Sequence, residues 1–186
     1  KHFKSDKLII TDRPTISLKD IKEDTWKEEV PLWIIKYLRK CFLNLNLNNN
    51  TNLPKKIYID RSDAKEHHHK FRSIKNENEI KEYLKDAGYE SLCMANYNFI
   101  DQISLFENAD EIVGLHGGGF ANIVFCKPNS KVVEIKNETT GNIIRDLAIK
   151  NKLLYESVIG KNQNFKKYSQ QGIIEVSIDD LKNKLN

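Results

Sequence analysis

Residues 111–136, EIVGLHGGGFANIVFCKPNSKVVEIK, decide the reading of this chain. An apolar run from Ile112 to Leu115 is followed by three glycines, Gly117, Gly118 and Gly119, then by a second apolar stretch from Phe120 to Phe125 and a third in KVVEIK. Short apolar runs bounded by turn residues read as buried strands, and FANIVFC, stopped near Pro128, reads as a short helix. The glycines therefore join a strand to a helix, a place where a bare backbone can come close to a partner.

The same rhythm extends to both sides. KIYID (56–60) and YESLCMA (89–95) read as strands, while ENEIKEYLKDAG (77–88) and FIDQISLFENA (99–109) read as helices. Downstream, TGNIIRDLAIKNK is a helix, LLYESVI a strand, and IIEVSIDDLKNKL a strand leading into a helix that Ser177 caps with Asp180 three residues on. Alternating strands and helices predict an α/β fold: a Rossmann-like parallel sheet with helices on both faces. Residues 25–43 carry Trp26, Val30, Trp33, Ile34, Tyr37, Leu38 and Cys41 at helical spacing, with Pro31 expected to kink the helix or mark its true start and the tryptophans expected to pack. An asparagine-rich polar stretch follows. The expected organisation is thus a leading helical segment and linker over 1–52 and a Rossmann-like domain over 53–186.

With 186 residues, 39% of them hydrophobic, the chain can bury one substantial core. Thirty basic against 26 acidic side chains give a net charge of +4 on a mixed surface, which argues against a nucleic-acid partner. No apolar run in the sequence approaches the length of a membrane span, so no anchor is visible in it. Cys41, Cys93 and Cys126 are widely spaced and read as small core residues rather than a disulfide or zinc framework. The run His67-His68-His69 reads as a solvated loop, because adjacent residues do not present one tetrahedral site. Two Asn-x-Thr matches, at Asn49 and Asn137, are chance-level in so asparagine-rich a chain. The first residue, Lys1, raises the expectation that the chain is part of a longer protein.

Parallel sheets bind ligands beyond the carboxyl ends of their strands. Asp60, Arg61, His116 and Glu134 all fall at such ends, placing cation, imidazole and carboxylate on one rim. An HGGG stretch could serve as the oxyanion loop of a lipase-like hydrolase, but no G-x-S-x-G elbow follows Gly119 and no histidine follows His116. A glycine cradle for a diphosphate needs only backbone amides and the positive end of a helix.

Here the residues resemble a family. GLHGGGFANIVFCKPNSKVVEI is similar to the G-x-H-G-x-G-x-x-N-x-x-F-x-x-P-x-x-x-V-V-E-I signature of family 61 glycosyltransferases, and YIDR, FRSIKNENEI and GYE match upstream motifs in the right order. The resemblance covers roughly residues 55 to 160. Phe120 stands where leucine is common in the family and Asp60 where serine is common, which puts the sugar specificity in question. It implies the HGxGxxN-type donor-binding lobe of an inverting, two-lobed GT-B enzyme that moves a sugar from a nucleotide-sugar, UDP-linked by resemblance, to a glycan or protein hydroxyl, as in polysaccharide biosynthesis. The alternative is a non-catalytic nucleotide- or glycan-binding module. Localisation would be cytoplasmic for a bacterial-type member and the lumen of the secretory pathway for a eukaryotic one.

Candidate roles follow from residue type and this resemblance. His116 contacts the donor diphosphate or acts as catalytic base, and Gly117, Gly118 and Gly119 supply the cradle. Arg61 and Arg72 neutralise phosphate with forked donors. Asn76 belongs to the family motif but, with Glu79 three residues on, reads first as a helix N-cap. Asn122 lies close enough to reach phosphate or ribose. Glu134, costly inside an apolar strand, either pairs with a positive group or accepts ribose hydroxyls, the second being preferred. No D-x-D stretch marks a divalent ion under the diphosphate, so neither a metal nor another cofactor is expected, and cations with a helix N-terminus would stabilise the leaving group.

Overall fold

The structure, a computed structural model, describes residues 30–43, 52–62, 72–162 and 172–186. Its centre is a parallel five-stranded sheet of β1 (Lys56–Asp60), β3 (Glu90–Cys93), β4 (Glu111–Leu115), β5 (Lys131–Lys136) and β6 (Leu154–Ile159). The spatial order is β3-β1-β4-β5-β6. The chain crosses from β1 to β3 on one side and then to β4 on the other. The order therefore reverses between β1 and β4, and the crevice outside their carboxyl ends is where such sheets take ligands.

Side chains alternate between two cores because a strand turns successive residues to opposite faces. Ile57, Ile59, Ile112 and Val132 meet α1 (Leu32–Phe42), α3 (Phe99–Asn108), a 3-10 helix (Gly118–Phe125) and α4 (Ile143–Lys150). Tyr58, Val113, Leu115, Val133, Ile135 and Val158 meet α2 (Glu77–Asp86) and α5 (Ile178–Leu185). The α/β reading with helices on both faces holds. Ser177 accepts from the Asp180 amide at 3.2 Å, the cap expected at the last helix.

A second, three-stranded sheet was not legible beforehand. In it β2 (Arg72–Ile74) runs parallel to β8 (Gly172–Glu175), and β7 (Lys161–Asn162) pairs antiparallel with β8. Strands of two and three residues are too short to show alternation, and the β2–β8 pairing joins residues about a hundred positions apart.

Pro31 marks the true start of α1 rather than a kink: it stands at the N-cap in an extended conformation. Ile35 is buried, Leu38 and Phe42 pack against the same core, and Phe42 meets Phe99 edge-on at 5.1 Å. Arg39 donates to the carbonyls of Val124 at 2.8 Å and Cys126 at 2.7 Å, closing the last turn of the 3-10 helix with a positive charge. The leading helix is thus built into the main core. Trp33 departs from its expected packing role and is 61% exposed, because Ile35, Leu38 and Phe42 define the buried stripe and Trp33 and Tyr37 fall on the opposite one. Trp26, most of the asparagine-rich stretch and His67-His68-His69 lie outside the described residues. Cys126 is buried and Cys41 and Cys93 are partly so, all as free thiols. Among the described residues no helix is long and apolar enough to cross a membrane.

Candidate active site

The carboxyl ends of β1 and β4 bring three distant segments together on the backbone of His116. Arg61, the residue after β1, donates to the His116 carbonyl at 3.2 Å. Arg72, at the start of β2, donates to the same oxygen at 2.9 Å. The His116 amide donates to the Ile135 carbonyl at 2.8 Å, which extends the β4–β5 ladder by one bond. Burial first, and then the neighbouring Arg61, lower the pKa of Arg72 from the usual arginine range, with the Glu134 charge acting in the opposite sense. Two guanidinium groups side by side make a locus that favours an anion. Each carries five N–H donors, so holding a carbonyl and meeting a phosphate are compatible tasks.

The three glycines are not equivalent. Gly117 is fully extended, and a Cβ there would come within 3.2 Å of Arg61 Nη1, so its bareness gives the guanidinium room. A Cβ on Gly118 would meet nothing within 4 Å. One on Gly119 would lie 2.9 Å from Cγ2 of Ile59, inside the core. Packing of the 3-10 helix on β1 therefore requires glycine at 119, whereas the turn is open at Gly118.

Glu134 lies in the middle of β5 and is 0% exposed. Its neighbours across the sheet are Gly114 on β4 and Ser157 on β6, and Ile59 and the Phe120 ring fill the space above Gly114. His116 Nδ1 bonds one carboxylate oxygen, the Tyr155 hydroxyl donates to the other, and Lys136 Nζ lies 3.9 Å from that second oxygen. Burial, and then the adjacent Glu134 carboxylate, push the Tyr155 phenol up, so it stays protonated as a donor. Of the two readings for Glu134, the geometry shows pairing with positive and donor groups. The ribose contact gives way to it because both oxygens are engaged below the surface.

Two other candidates have internal partners. Asn122 donates to Gln102 Oε1 at 2.8 Å and ties the 3-10 helix to α3. Asn76 occupies the N-cap position of α2 without a capping bond from its side chain. Instead it donates to the Val176 carbonyl at 2.8 Å and accepts from the Val176 amide at 3.0 Å, pinning the second sheet beside the site. Asp60 is held by Lys81 at 3.0 Å. A small crevice beside His116 is lined by Arg72, Leu115, Lys136, Asn137, Thr140, Gly172 and Ile174. Lys136 and Tyr155 were missed in the sequence: Tyr155 shares a face with Glu134 only once the β5–β6 register is known.

The profile of the Glycosyltransferase 61 family matches residues 13–133, which include β1, β4, both arginines and all three glycines. The chain belongs to the glycosyltransferase 61 family. Its curated relatives include the "EGF domain-specific O-linked N-acetylglucosamine transferase" of Rattus norvegicus, Pan troglodytes and Canis lupus familiaris, each 29% identical over 83 residues. The alignment takes in 42% of this chain and 16% of each relative, so this family member matches a small part of their length.

Proposed function

We propose that this chain is the donor-binding part of an inverting glycosyltransferase of the GT-B kind, taking a sugar from a UDP-linked donor to a hydroxyl of a glycan or protein. The observation that carries the reading is the convergence of Arg61 and Arg72 on the His116 carbonyl, beside the open Gly118 turn and at the point where the strand order reverses. In this reading the diphosphate lies along that turn. The amides of Gly118 and Gly119, which open the 3-10 helix, point toward it. As the C1–O bond to the diphosphate breaks, the acceptor hydroxyl oxygen bonds to C1 from the opposite face and its proton passes to a general base, while the departing phosphate gains charge that the two guanidiniums stabilise. Family membership supports glycosyl transfer, and the names of the relatives give N-acetylglucosamine as their sugar without choosing it for this chain.

Calorimetric titration with UDP, uridine and inorganic diphosphate tests the proposal. UDP binds, and Arg61→Ala weakens it by about tenfold or more, the scale of one charge-assisted hydrogen bond, while uridine changes little. No UDP binding at millimolar concentration removes the reading. Equal losses for UDP and uridine assign Arg61 to folding rather than to phosphate.

A further inference from the structure

The cluster around Glu134 constrains what His116 can offer a substrate. Three groups converge on this buried carboxylate: the His116 imidazole on one oxygen, the Tyr155 hydroxyl on the other, and the Lys136 ammonium 3.9 Å from the second. Tyr155 donates a hydrogen bond to that second oxygen and Lys136 adds positive charge beside it, so Glu134 is matched as an acceptor on that side. An ionised carboxylate has only acceptor sites to present to His116, and the proton of the imidazole therefore sits on Nδ1. Nε2 then carries a lone pair, and His116 is one of the residues lining the crevice. A lone pair repels a phosphate oxygen and attracts a hydroxyl proton.

We propose that Glu134, Tyr155 and Lys136 are positioning residues that hold His116 in the Nδ1–H tautomer, so that its Nε2 accepts a hydrogen bond from a sugar, ribose or acceptor hydroxyl and does not contact the diphosphate. The inference rests on the transferase reading and divides the labour within it. Phosphate belongs to Arg61, Arg72 and the Gly118 turn, and a hydroxyl to His116. Overdetermination of the His116 backbone, locked through its amide and doubly through its carbonyl, fits a ring that must stay in one orientation.

The test is 15N NMR of the chain labelled at histidine, with His116 assigned by comparison with His116→Gln. At neutral pH the His116 signals show a protonated Nδ1 and an unprotonated Nε2. They keep that pattern when UDP is added to saturation. An Nε2–H tautomer in the unmodified protein overturns the proposal, and so does conversion of His116 to the doubly protonated ring on UDP binding, which would make it a phosphate donor. Glu134→Gln reverses the tautomer, because Tyr155 and Lys136 claim the amide oxygen and leave the NH2 group facing His116 Nδ1. A Glu134→Gln protein that folds with the Nδ1–H form unchanged also overturns it. If that variant does not fold, the spectrum of the unmodified protein still decides. Failure of UDP to bind sinks the transferase reading while leaving the tautomer measurable, so the two failures are separable.

Discussion

Replacing each of two adjacent glycines by alanine separates a packing requirement from a ligand-facing one. A methyl on Gly119 would lie 2.9 Å from Ile59 Cγ2, which belongs to a stiff β-branched side chain on a strand paired on both sides. Inserting a methyl into a close-packed core costs about 1–3 kcal/mol, and the reduced freedom of the unfolded chain returns about 0.4–1 kcal/mol where the backbone suits alanine. Gly119 is not in the left-handed region, so that return applies. The expected net loss for Gly119→Ala is about 0–2.6 kcal/mol, or a Tm lower by up to about 10 °C for a chain of this size. Gly118→Ala meets nothing within 4 Å, so it leaves stability unchanged or raises it by about 0.4–1 kcal/mol. It should nevertheless weaken UDP, since its methyl occupies the open side of the turn. Urea denaturation followed by circular dichroism gives the first pair of numbers and calorimetry with UDP the second. If Gly118→Ala loses as much stability as Gly119→Ala, or binds UDP normally, the assignment of roles along the glycine run is wrong.

Other expectations follow from single contacts. Arg39→Met keeps the apolar stem but removes two bonds to the end of the 3-10 helix, and urea titration should show a loss of about 1.5–3 kcal/mol. A loss below about 0.5 kcal/mol would mean α1 is held by its apolar stripe alone. Burial by itself would raise the Asp60 pKa, but the hydrogen bonds from Lys81 and the Ser62 amide outweigh it and hold the carboxyl below its ordinary value; burial of Glu111 is likewise outweighed by the Tyr89 hydroxyl and Lys56. A folded pKa below the unfolded one gives stability above about pH 4 that is lost as pH falls through the depressed folded value. Unfolding midpoints should therefore drop below about pH 4, and less steeply in Asp60→Asn and Glu111→Gln; an acid limb that is unchanged in both variants counts against the assignment. Tyr155→Phe removes a donor to a buried carboxylate and should cost about 1.5–3 kcal/mol in the same titration.

Much of the main sheet was legible because its signals are local. KIYID, EIVGLH and KVVEIK are apolar runs of strand length separated by helical patterns, and a parallel sheet covered on both faces is the arrangement that buries them. The rim was legible for the same reason: Arg61 and His116 stand directly after strands, wherever those strands lie. Role was harder to read than place. Asn76 looked like a cap because Glu79 lies three residues on, yet the competing partner, Val176, is a hundred residues away. That glycine at 119 also answers to packing was not legible either, because Ile59 lies where its Cβ would be.

The sequence by itself determined the strand and helix series of the main sheet, the α/β class, the glycine turn at the end of β4 and the resemblance carried by residues 114–135. These depend on periods of 2 and 3.6 and on the turn chemistry of glycine and proline, which act over a few residues. Only the tertiary structure decided that the strand order reverses between β1 and β4, that Arg72 crosses from a second sheet to share the His116 carbonyl with Arg61, and that Tyr155 and Lys136 close over Glu134. Those facts depend on strand order and register, which are set by how whole faces pack together, and no local pattern along the chain encodes which strand will lie beside which.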